Sequence, residues 1–212
     1  MTPLFKRLCL LIIVTLGTLL VSLSCDKDYG SISNNSLREI NKQEVVIDAY
    51  FFRDDSTLQT TTTKLLALIK RNHHIYMSTG IKVPVMVGIS SGGGYTSFFD
   101  YLMLLEKPLR QAYIVCTVSK AASMAFTFMI NFCDKRIILK DAVIMQHRVY
   151  KKTLFGKMFD DNSNRLSVKY SDMEAKVLGI PKDKWFKISR GKSDKYFTRD
   201  ELVKYGIATE GK

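Results

Sequence analysis

The chain has 212 residues, 46% of them hydrophobic and 25% charged, which is enough apolar mass for one globular domain with a short appendage. That balance excludes a chain disordered throughout, a fibrous repeat and a disulfide-framed miniprotein. Its net charge of +12 is spread along the sequence, with small clusters at Lys151–Lys152 and across Lys182–Lys195, and no RNA- or DNA-binding signature accompanies it. No nucleic-acid partner is therefore expected, and the basic surface reads as solvated and suited to anionic lipid.

In chain order, Lys6 and Arg7 form a positive start, and Leu8 to Leu23 is an almost wholly apolar run of 16 residues. Ser22-Leu23-Ser24-Cys25 then supplies small residues, and the sequence turns polar at Asp26. This is the layout of a secretory signal. The run falls short of the roughly 20 residues that span a bilayer comfortably, which leaves cleavage or retention as an anchor open. A cysteine directly after such a segment resembles the lipobox of bacterial lipoproteins and makes Cys25 the lipidation candidate. Ser22, however, stands where the lipobox has leucine. The expected organisation is a signal or membrane anchor over 1–25, a polar tether over 26–43 and one α/β domain over 44–212, outside the cytoplasm and associated with a membrane.

Beyond the tether, strands and helices alternate. Val45 to Phe52 is β-branched and aromatic, a strand; Leu65, Leu66, Leu68 and Ile69 mark one face of a helix over Leu58 to Lys70. Val83 to Ile89 is an apolar strand running into Ser90-Ser91-Gly92-Gly93-Gly94, followed by a helix over Tyr95 to Leu105. Ala112 to Val118 is a strand and Ser123 to Phe132 a helix. Two short strands follow at Arg136–Leu139 and Ala142–Gln146, then a polar-faced helix over Asn164 to Leu178 ended by Gly179 and Pro181. Glu201 to Tyr205 is a last helical turn. Such alternation predicts an α/β fold with a buried, largely parallel sheet.

Few residues can do chemistry. His73-His74 is an adjacent pair that cannot turn both rings to one ion from a regular element, and no Cys/His cluster has metal-ligand spacing, so no metal or cofactor is expected. Cys116 and Cys133 lie in apolar stretches and read as buried free thiols. Two segments each end a strand and open a helix, where sites in open α/β folds gather. Gly92-Gly93-Gly94 permits positive φ and a close approach of backbone N–H groups to a ligand, although such a turn is more often only a tight connection. Ser123 stands at the start of an apolar helix, near free N–H donors and the positive end of its dipole, where a plain N-cap is the competing reading. His147 ends the strand Val143-Ile144-Met145-Gln146, 24 residues beyond Ser123.

Together these segments resemble the proteolytic subunit of the Clp protease, in the ClpP/crotonase superfamily. ISSGGGYTS matches the glycine-rich oxyanion strand end, KAASMA the nucleophile box and VIMQHRV the histidine box. Asp194-Lys195-Tyr196-Phe197-Thr198 is similar to the string carrying the acidic member, and the likeness extends from Glu44 to Thr209. It implies a repeated ββα spiral and a serine-type endopeptidase acting on peptides or unfolded polypeptides. Ser123 would be nucleophile, His147 base and then acid, and Asp194 the group that fixes the imidazole. The backbone N–H groups of Gly94 and Met124 would form the oxyanion hole. A homo-oligomeric, heptameric ring is the implied assembly.

The sequence departs from the family at Gly92, where proline is usual, and at Ser119 and Ala125, where glycine is. Arg148 to Met158 lacks the glycine-rich turn and carries Lys151, Lys152 and Phe155, which puts the stacking of two rings in question. The loops that dock an ATPase are replaced by the signal and tether, and no nucleotide-binding motif is present. Three other readings compete: an inactive scaffold on the same fold, a Ser–Lys protease like signal peptide peptidase A using Lys120, and a crotonase-type acyl-CoA enzyme.

Overall fold

A computed structural model describes residues 33–211 except 155 and 192. The proposed signal, Cys25 and the first part of the tether lie outside the described residues. Among the described residues, no helix is long and apolar enough to cross a membrane.

The polar segment does not stay extended. Ser33 caps a helix, α1 (Asn34–Asn41), by accepting from the Ser36 N–H. The serines also reach the Asp141 carboxylate, which accepts from the Ser33 N–H at 2.8 Å and from the Ser36 hydroxyl. These bonds, the Ser36 hydroxyl first, hold that carboxyl down to about 2. Ile40, only 1% exposed, packs against Gly88, where a β-carbon would come within 2.8 Å of the Ile40 carbonyl.

β1 is shorter than expected, Val45–Ile47, because the Asp48 side chain accepts from the N–H groups of Tyr50 and Phe51 and turns the chain. Phe51 and Phe52 nevertheless stay fully buried. α2 (Asp55–Thr79) starts on an Asp54 cap and ends at Gly80, which adopts φ 71°; His73 and His74 lie within it. β2 (Val85–Ser91) leads to α3 (Thr96–Leu104) and α4 (Glu106–Gln111). β3 (Ile114–Ala122) leads directly to α5 (Met124–Phe132), whose residues are all buried. The two strands read separately in the sequence form one, β4 (Lys135–Gln146), since both halves pair with β3 across a register shift between Val118 and Lys120.

A hairpin absent from the sequence reading, β5 (Lys151–Thr153) and β6 (Gly156–Met158), precedes α6 (Asp161–Leu178). α7 (Lys182–Ser189) was also not foreseen; its eight residues are mostly polar but bury Trp185. β7 (Lys195–Tyr196), α8 (Arg199–Lys204) and β8 (Glu210–Gly211) complete the order, with α8 opened by a reciprocal Thr198–Glu201 capping box.

The sheet runs β1-β2-β3-β4-β7, with β8 also on β4; all pairs are parallel except β4–β7. This is the mixed α/β architecture with a mostly parallel sheet that the alternation predicted. Phe126, Trp185 and Phe197 stack in the core beside the last strands.

One expectation is overturned. Cys116 and Cys133 are joined as a disulfide, across 17 residues of sequence. Apolar surroundings alone could not reveal this, because β3 and the end of α5 come together only in the fold.

Candidate functional site

Ser123 lies on the turn between the end of β3 and the first residue of α5. Its backbone is at φ 55°, ψ −121°, and among the described residues no other non-glycine has positive φ. Such a conformation costs on the order of 1–3 kcal/mol, and so persists only where its surroundings fix it. Here the Ser123 N–H donates to Met145 of β4, and its carbonyl accepts from the Thr127 N–H and more distantly from the Gln146 amide. Its side chain makes no cap bond to the helix, so the N-cap reading is not what this geometry shows.

The glycine-rich turn packs directly on that elbow. Gly93 has φ 77°, and a β-carbon there would sit 2.5 Å from the Ala122 carbonyl, 2.8 Å from the Met124 nitrogen and 2.8 Å from the Ser123 β-carbon. No side chain fits. Gly93 spends its N–H on the Ser91 hydroxyl at 3.2 Å. Among the described residues the N–H groups of Gly94 and Met124 have no protein acceptor. Met124 adjoins Ser123 in sequence, and Gly94 follows the glycine that packs on it.

His147 follows β4. Its N–H donates to the Gln146 side chain, and its ring Nδ1 lies 2.5 Å from the Arg148 carbonyl. A carbonyl can only accept, so Nδ1 carries the proton and Nε2 is the acceptor, the tautomer a general base needs. Burial pushes the imidazole below its ordinary value near 6.5, against the opposing pull of the Arg148 carbonyl and the Asp194 charge.

Asp194 is engaged elsewhere, with both its carboxylate oxygens near Lys157 of β6, at 3.2 and 3.3 Å. His147, Tyr150, Lys157 and Asp194 line one cavity of about 340 Å³, with the Tyr150 ring 5.1 Å from His147 and the Lys157 ammonium over Tyr150. Among the described residues no hydrogen bond joins Ser123 to His147, or His147 to Asp194. The fold thus gathers His147 and Asp194 round a cavity and sets Ser123 against the strand that carries His147.

Beneath these groups lies a network that the sequence reading missed. Glu174 of α6 is fully buried and paired with Arg190, its Oε2 2.6 Å from Nη1 and its Oε1 2.8 Å from Nη2. Its carboxylate also accepts from Thr127, Gln146 and the Trp185 indole. Gln146 in turn accepts from the His147 N–H, and the Arg190 carbonyl accepts from Arg148. The available signal was the unusual inward face of α6, where Ser163, Ser167, Ser171 and Glu174 recur at helical spacing and are all buried.

Among the described residues no cluster of His, Cys, Asp or Glu could hold a metal ion. Lys120 points its side chain towards Gly92, where a β-carbon would lie 4.0 Å from the ammonium.

No protein-family model matches the chain, and no curated protein matches it in sequence. Solved structures do match in fold. A point variant of ClpP1 from Listeria monocytogenes superposes with TM-score 0.61 at 16% identity, covering 84% of this chain and 95% of its own. ClpP1 from the same organism gives 0.59 at 16% identity, with the same coverage. This chain has the fold of the ClpP proteins.

Proposed function

We propose that the chain is a ClpP-type serine endopeptidase, exported and membrane-associated, that hydrolyses peptides or unfolded polypeptides without an ATPase of its own. The observation that carries the reading is Ser123: a strained serine at a strand-to-helix turn, with Gly93 packed against it and two free N–H donors at Gly94 and Met124. Strain of this kind gathers at functional sites, and a side chain held off its helix is free to meet a ligand.

Ser123 Oγ attacks the peptide carbonyl carbon while His147 Nε2 takes its proton. Negative charge that develops on the carbonyl oxygen meets the Gly94 and Met124 N–H groups. Collapse breaks the C–N bond, the amine leaves with the proton from His147, and the acyl group stays on Ser123. Water then attacks the ester, again losing its proton to Nε2; the C–Oγ bond breaks, Ser123 Oγ takes that proton back from His147, and the acid is released. Asp194 stabilises the imidazolium formed in each half. In the geometry described this carboxylate is on Lys157, so a turn from Lys157 towards His147 completes the set. Assembly into a homo-oligomeric ring is the step we assign to that rearrangement.

Export rests on the apolar segment before Cys25 and gains support from the Cys116–Cys133 disulfide, since such bonds persist mainly in oxidising compartments. An inactive scaffold is the second reading, favoured by the diversion of Asp194 to Lys157. Fluorophosphonate labelling of the purified chain, compared with Ser123→Ala, separates the two: a label lost on substitution supports the peptidase, and no label in either supports the scaffold.

A further inference from the structure

The glycine-rich turn carries a second feature at Gly92, the residue before the glycine that packs on Ser123. At Gly92 there is no side chain, and the two side chains nearest to the gap are cationic. The three atoms nearest to a β-carbon there would be Arg53 Nη2 at 3.6 Å, Lys120 Cε at 3.9 Å and Lys120 Nζ at 4.0 Å. The two cationic groups are therefore within about 8 Å of each other across one glycine. Neither has a carboxylate partner among the described residues.

Lys120 is placed by a strand and Arg53 by a turn bonded to the glycine-rich segment. Lys120 sits in β3, in register with Ser90 and Val143, three residues before Ser123. Arg53 donates from Nε to the Gly93 carbonyl at 3.1 Å, which ties the guanidinium to the turn and leaves its Nη groups free of protein acceptors among the described residues. Two like charges aimed at one opening repel each other, and an anion between them relieves the repulsion. A guanidinium edge beside an ammonium suits a carboxylate, which Arg can bind through two parallel N–H groups.

We propose that Arg53 and Lys120 form a carboxylate-binding subsite over Gly92, which selects peptides carrying an acidic group beside the reacting bond. The substrate assignment rests on the peptidase reading; the anion site itself does not. Because Gly93 touches Ser123 and an extended chain advances about 3.3 Å per residue, the acidic group falls within about two residues of the bond cut. It is either an acidic side chain or the peptide's own C-terminal carboxylate.

Binding of short fluorescent peptides to the full chain carrying Ser123→Ala tests this by anisotropy. Peptides with Asp or Glu are compared with their Asn or Gln counterparts, each with a free and an amidated C-terminus. The acidic forms are expected to bind about 5–20-fold tighter, and the gain to shrink below about 2-fold with Lys120→Gln. Lys120→Glu should turn the preference towards Lys-containing peptides. A gain of Asp or Glu over Asn or Gln assigns the group to a side chain, and a gain of the free over the amidated C-terminus assigns it to the C-terminus. Equal binding of acid and amide forms, a preference untouched by Lys120→Gln, or no binding of any peptide overturns the proposal. Hydrolysis and fluorophosphonate labelling are read separately on the chain with Ser123 intact. Selective binding without labelling or cleavage would sink the peptidase reading and leave the subsite standing.

Discussion

The Asp194 carboxylate lies 3.2 Å from the Lys157 ammonium, while the Nδ1–H of His147 is donated to the Arg148 carbonyl at 2.5 Å. On the proposed mechanism, two tasks that a triad acid usually combines are divided. The Arg148 carbonyl fixes the tautomer, and Asp194 supplies only charge. Asp194→Asn should therefore cost activity about 10–100-fold, well short of the roughly 10⁴-fold loss seen where an acid-to-amide change imposes the wrong tautomer. Peptide hydrolysis rates of the two proteins check this, and a loss as large as that of His147→Ala would place the tautomer control on Asp194 after all.

Lys157 competes for the same carboxylate. Its removal in Lys157→Met frees Asp194 to turn towards His147 and should raise peptidase activity a few-fold, on the order of the 0.2–1 kcal/mol that an exposed ion pair contributes. Steady-state rates at equal protein concentration decide it; an unchanged or lower rate means the ion pair does not restrain the site.

Burial lowers the His147 pKa, so the base stays neutral to a more acidic pH than a solvated imidazole would. The acidic limb of kcat/KM should fall below pH 6.5. The sign for stability follows from the same shift: the unfolded chain binds a proton near pH 6.5 that the folded chain binds only at lower pH. Stability is thus highest above 6.5 and declines as pH falls below it. A pH–rate profile together with melting curves across that window tests both.

Gly93→Ala places a β-carbon 2.5 Å from the Ala122 carbonyl at a residue with φ 77°. We expect a loss of at least about 2 kcal/mol of stability, together with loss of labelling at Ser123, since the same atom would crowd the Met124 N–H. Urea melts and labelling on the fraction that remains folded provide the measurements.

The Cys116–Cys133 bond closes a loop across 17 residues, for which chain entropy predicts about 3 kcal/mol of stabilisation. Reduction, or paired Cys→Ala substitution, should lower the urea midpoint accordingly. Intact mass before and after reduction verifies the bond itself.

Much of this fold was legible because its strands are buried on both faces and so read as apolar runs, β2 and β3 most plainly. The Ser123 and Gly93 segments were legible as strand ends opening into helices. What escaped depended on contacts distant in sequence. The strand over Val45 to Phe52 was cut short by Asp48 side-chain bonds that composition does not reveal. α7 was hidden because Trp185 is the only large apolar residue that its polar run buries fully. The disulfide, the Lys157–Asp194 pair and the Glu174–Arg190 network each join elements that periodicity treats singly. A buried Glu in a serine-studded helix face is the one trace they left.

Labelling by a fluorophosphonate, followed by peptide mapping, tests the central claim most directly. The account predicts a single adduct on Ser123, absent in Ser123→Ala and strongly reduced in His147→Ala. Undiminished labelling in Ser123→Ala, or no adduct on the intact chain, would contradict it.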